Sequence, residues 1–209
     1  MKISLNGKTA NIDKRGCRHF KHLMEKVQKE LLAQNEVVVS VISNGTEYAN
    51  LDENLWADIP SPQIQDLQIV TSSIKELSLQ SISDVQEYLL KVHGVLQGVR
   101  KDIGTKKNSG KAIASFHDVI KLFDGWILPI IDRLTTLYKI SLQDITIQGV
   151  PAIQSINDFI ESIDAGVSHL ERSAFEDFSH CLEERTLLHI RHIQGLFDHL
   201  HQYIKTHSR

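Results

Sequence analysis

Histidines crowd the end of the chain, among them His189, His192, His199 and His201, with Asp198 between. Imidazole binds zinc, copper and iron, and it exchanges protons near neutral pH. A metal held on one helix needs ligands three or four residues apart on one face, and His189 and His192 have that step. His199 lies seven residues past His192, about two helical turns, which is too far for a single ion. No Glu-x-x-His pair falls on this helix, and no second helix offers an inward His with a carboxylate. At about 100° per residue His189 falls on the apolar seam, while His192 and His199 point to solvent. The expectation is therefore one partly buried histidine beside surface ones, with a metal site on His189 and His192 as the alternative. Several histidines titrating near pH 6.5 would also suit the tuning of an interface.

Two cysteines are the next candidates. Cys17 stands at a predicted helix start between Arg15, Arg18 and His19, and both a helix N-terminus and cationic neighbours lower a thiol pKa. No second Cys completes a Cys-x-x-Cys pair and no base is identifiable, so Cys17 reads as a small packed residue. Cys181 lies beside an apolar seam and reads as core. Trp56, with Leu55 and Ile59, occupies a long loop before the last strand of the first third of the chain. These side chains either cover the sheet or form an exposed aromatic anchor of the kind that dominates interfaces. No Gly-rich phosphate loop, nucleophile elbow or His-Glu-x-x-His is present, and the adjacent carboxylate pairs point apart.

Charge narrows the partners. The 209 residues carry 23 Lys and Arg against 26 Asp and Glu, a net charge of −3. The predicted helix region is basic, with Lys14, Arg15, Arg18, Lys21, Lys26 and Lys29. From Glu30 to Ile74, however, there are seven acids and no Lys or Arg. An anionic flank beside a basic helix repels a polyanion, so a protein partner is expected rather than nucleic acid. No apolar run reaches the roughly 18 residues of a membrane span, and the first residues lack the apolar stretch of a signal peptide. The expected location is the cytosol, where two unpaired thiols stay reduced.

The elements that must hold these residues change period near Ser72. Before it come short β-type runs: Lys2–Leu5 and Thr9–Ile12 around Asn6-Gly7, Val37–Ser43 and Thr46–Ala49 around Asn44-Gly45, and Leu67–Thr71. One amphipathic helix, Cys17 to Ala33, lies between the hairpins with Phe20, Leu23, Val27 and Leu31 on one stripe. After Ser73 apolar residues recur at three and four in four sets. These are Ile82 to Val99, Ile113 to Leu137, Ile153 to Leu170 and Phe178 to Tyr203, the last including Thr186 and His189. Pro129 should bend the second helix near Gly125–Trp126. Ser173 and Glu176 read as a capping box for the fourth. Gly94 and Gly98 read as a packing device, and Ser141–Val150 as an extended connection. The fold class is α+β: a domain over 1–72, then an antiparallel four-helix bundle over 73–209.

The order strand, strand, helix, strand, strand, loop, strand, with MKISLNGK, VVVSVISNGTEY and DLQIVTSS, resembles the β-grasp fold of ubiquitin-like proteins. It is most similar to the sulfur carriers of thiamin and molybdopterin synthesis. The resemblance covers residues 1 to about 72 and implies the fold alone, because sulfur carriers end in Gly-Gly and this segment runs on through Thr71-Ser72-Ser73 into helix. The function expected is a non-enzymatic protein-interaction, adaptor or chaperone-like protein without cofactor, with homo-oligomers compatible. The alternative is a metal- or small-ligand-binding bundle using the terminal histidines.

Overall fold

The computed structural model describes residues 1–48, 57–104 and 108–207. Two compact units divide the chain, Met1–Leu77 and Ser78–Arg209. Each has its own apolar core.

The first unit is a mixed five-stranded sheet crossed by one helix. The strands are β1 (Lys2–Leu5), β2 (Lys8–Thr9), β3 (Glu36–Ser43), β4 (Thr46–Tyr48) and β5 (Asp66–Ser73), in the order β2-β1-β5-β3-β4. The central pair β1 and β5 is parallel, and the other pairings are antiparallel. This is a β-grasp-like topology. Asn6-Gly7 and Asn44-Gly45 turn the two hairpins, all four residues at positive φ, as a two-residue hairpin turn requires. Helix α1 (Phe20–Glu30) buries Phe20, Leu23, Met24 and Val27 against Ile3, Val41, Leu67 and Ile69. It is shorter at both ends than the periodicity predicts. Its first backbone donors are taken by the chain before β5: Phe20 N–H bonds the Ile59 carbonyl at 2.8 Å and Lys21 N–H that of Ala57 at 3.2 Å. Those external acceptors fix where the helix begins.

Strand β5 ends at Ser73 and helix α2 (Ile74–Ile103) begins at the next residue. The junction is a reciprocal capping box: Glu76 N–H bonds Ser73 Oγ at 3.1 Å, and Ser73 N–H bonds the Glu76 carboxylate at 3.0 Å. The second unit continues with α3 (Ser109–Leu122), α4 (Leu128–Tyr138), a small hairpin of β6 (Thr146–Ile147) and β7 (Val150–Pro151), α5 (Ala152–Glu171), α6 (Phe175–Cys181) and α7 (Leu187–His207). Helices α3 and α4 run together through a π turn at Phe123–Ile127, and α6 and α7 through another at Leu182–Thr186. The first lies where Pro129 is expected to bend the chain. Proline has no N–H to give, and the wider turn closes through Leu128 N–H to Phe123 instead. The second π turn contains no proline.

Three expectations are corrected. Ser173 does not cap the fourth helix: it sits at φ +57 and closes the end of α5, with Ser173 N–H to Leu170 and Ala174 N–H to His169. Gly94 and Gly98 face open space; the close approaches are at Gly195, whose added Cβ would lie 2.7 Å from Ile147, and at Gly166, beside Phe116 and Phe178. Finally, α5 buries Ala152, Ser155, Ile156, Phe159, Ser162, Ile163 and Gly166, leaving Ile160 exposed. Small side chains let α6 and α7 come close, so the packing face takes in Ser155, Ser162 and Gly166 beside Ile156 and Ile163 and leaves Ile160 out. Ser141–Val150 ends in the β6–β7 hairpin and sends Ile145 and Ile147 into the helical core.

Candidate functional site

The terminal histidines are placed by the second π turn. It bonds Leu187 N–H to Leu182, five residues back, so one extra residue is accommodated and the downstream face rotates. Burial accordingly passes to Leu187, Ile190, Ile193, Leu196, Phe197, Leu200 and Ile204. His192, expected toward solvent, is buried at 6% exposure. Its Nδ1 lies 3.2 Å from the hydroxyl of Ser155, itself 2% exposed, on α5. His189 is half-buried and packs edge-on against His192, with ring centroids 5.8 Å apart. The Nδ1 of His189 is buried and has no hydrogen-bond partner. Burial pushes its pKa down, Asp158 on α5 opposes this, and His192 and Arg185 reinforce it. His199 is exposed.

The rest of this seam is polar but closed. Cys181 donates from Sγ to the Ser162 carbonyl at 3.4 Å, and burial pushes its thiol pKa up, so it is a protonated core residue. Ser162 bonds back to the Phe159 carbonyl. Two ion pairs pin the π turn from outside, Glu183 to Arg100 on α2 at 2.7 Å and Arg185 to Glu161 on α5 at 3.9 Å. The His189 and His192 rings are neighbours, but among the described residues no three His, Cys, Asp or Glu side chains converge to hold a metal ion. Ser155 and Asp158, the partners across the seam, were not singled out by sequence. The seven-residue step from Ser155 to Ser162 is the signal that marks their face.

Cys17 is half-buried and lies three residues before α1, not at its first turn. It lines a cleft of about 310 Å³ with Arg15, His22, Glu25, Lys26 and Lys29. The bases here hold the fold. Lys26 Nζ bonds the carbonyls of Asp13 and Arg15 at 2.8 and 2.9 Å, and Arg15 pairs with Asp13, whose carboxyl is held below its usual range by that contact.

Of the predicted interaction loop, Leu55 and Trp56 lie outside the described residues. Ile59 is half-buried against the sheet core, and its carbonyl serves α1. The sheet has a second candidate surface. Along β5, Leu67 and Ile69 point into the core while Gln68 and Val70 face outward. Val70, Val37 and Val39 remain 41%, 37% and 37% exposed. Strand β4 pairs only with Val41–Ser43, so among the described residues no strand lies along the outer side of Glu36–Ser40. A cleft of about 560 Å³ opens beside this stretch, lined by Leu32, Ala33, Glu36, Val37 and Val38 among others. Among the described residues no helix is long and apolar enough to cross a membrane. In comparisons with family models, curated proteins and solved structures, nothing matches the chain.

Proposed function

We propose that the chain is a non-enzymatic protein-interaction module, adaptor or chaperone-like, that works in the cytosol and engages its partner through the β-grasp-like sheet. The observation that carries this reading is the valine surface of β3 and β5. Apolar residues exposed singly are ordinary. Val37, Val39 and Val70 instead sit on adjoining strands, beside a cleft and a stretch of strand edge that no described strand covers. Main-chain groups and alternate side chains of such an edge are what an extended partner segment reads. The register shift between Val38 and Ser40 twists the edge, a feature that guards against pairing between like copies. The run from Glu30 to Ile74 that supplies these valines has seven acids and no Lys or Arg, a balance that suits a partner segment of positive charge.

The test uses the full chain. A partner captured from the native host is purified, and its binding to wild type is measured by calorimetry. Val37→Glu with Val70→Glu should weaken binding at least about tenfold, the loss of roughly 1.4 kcal/mol, while the melting temperature holds. Trp56→Ala, measured alongside, separates the loop from the valine surface. Unchanged affinity in both variants would overturn the proposal.

A further inference from the structure

The seam between α5 and α7 contains two neighbouring histidines, one of which, His189, keeps a buried nitrogen without a hydrogen-bond partner. Neutral His192 can accept the Ser155 hydroxyl hydrogen at Nδ1. The buried Nδ1 of His189 has no acceptor to receive a proton-bearing nitrogen. The His192 ring packs edge-on against that of His189, with centroids 5.8 Å apart. We propose that His189, packed edge-on against His192, is a pH-sensitive latch, in which its neutral ring closes the α5–α7 seam and its protonation opens it locally.

The neighbours supply little relief. Asp158 on α5 favours the protonated form of His189, but Arg185 in the π turn opposes it and is itself paired with Glu161 of α5. The hairpin strand β6 places the apolar side chain of Ile147 against α7 at Gly195. Helix α6 brings the uncharged Cys181 thiol. Partial burial lowers the pKa of His189, so its folded-state value lies under that of the unfolded chain. Its contribution to stability is therefore complete above about pH 6.5 and is lost as pH falls through the folded-state value. The latch is closed at neutral pH and opens on the acid side.

Hydrogen exchange of the full chain at about pH 7.5 and 5.5, corrected for intrinsic rates, tests this. Amides of α5 and α7 should lose at least about tenfold in protection at the lower pH, while those of β3, β5 and α2 keep theirs. The double variant His189→Gln and His192→Gln should lack that difference. No loss in wild type, an equal loss across all elements, or the same loss in the variant would each overturn the latch. Should the variant fail to fold, carbon-13 NMR of the wild-type imidazoles decides. Ring protonation must share its midpoint with loss of α5 and α7 protection, and rings that titrate while the seam stays protected refute the proposal.

Discussion

Asn44 sits at φ +51 in the β3–β4 turn, and its side chain reaches across to the chain entering β5. The carboxamide oxygen accepts from the backbone N–H of Gln65 at 2.8 Å and of Asp66 at 3.1 Å, while its nitrogen donates to the Gln63 carbonyl at 2.8 Å. Asn6 does the same for the first hairpin, bonding Thr71 through both backbone and hydroxyl. The Asn-Gly pairs thus select the turns and also lock neighbouring strands in register. Asn44→Ala should cost about 1–2 kcal/mol in urea unfolding, because three hydrogen bonds go and an alanine is strained at positive φ. A loss under about 0.5 kcal/mol would mean water replaces the carboxamide without penalty. Asn-Gly as a turn is legible in sequence. The reach to Gln65 and Thr71 is not, because it depends on residues 21 and 65 positions away.

At the scale of elements, the π turns decide which faces are buried. A π turn holds one residue more than an α turn, so removing one residue should restore the α register and leave both flanks facing as before. Deleting exposed Glu184 from Leu182–Thr186 should therefore leave the fold intact, losing only the exposed pair with His180, which is worth little. Deleting Glu161 inside α5 should unfold the helical unit, because every later residue then turns by about 100°. Circular dichroism melts of the two deletions distinguish these outcomes. A second pair concerns glycine. Gly195→Ala should destabilise by about 1–3 kcal/mol, since the new methyl group meets Ile147 at 2.7 Å. Gly94→Ala, in open space on α2, should stabilise by up to about 1 kcal/mol. Chemical denaturation of both variants gives the two signs directly.

For the whole molecule, the separate cores of Met1–Leu77 and Ser78–Arg209 imply that the helical part can stand alone. Residues 74–209 expressed by themselves should keep a helical far-ultraviolet spectrum and a cooperative melt; a largely unfolded fragment would contradict this. Two periods of hydrophobicity, two and 3.6 residues, together with the Asn-Gly turns, determine the strands, the helices and the point near Ser73 where one pattern yields to the other. Those are local properties of the chain, read from propensity and spacing. The candidate sites are not local. His192 is buried because a π turn shifts the phase of the helix, and a hydrophobic pattern that steps by three and four does not reveal where one residue is added. Its partner Ser155 is recognisable only once α5 packs on its small residues and leaves Ile160 out. The valine surface likewise emerges only when pairing with β5 decides which face of β3 turns away from the core. Strand and helix formation follow from neighbours in sequence, whereas burial, register and exposed edge follow from close packing between distant segments, where a shift of one residue reverses the face.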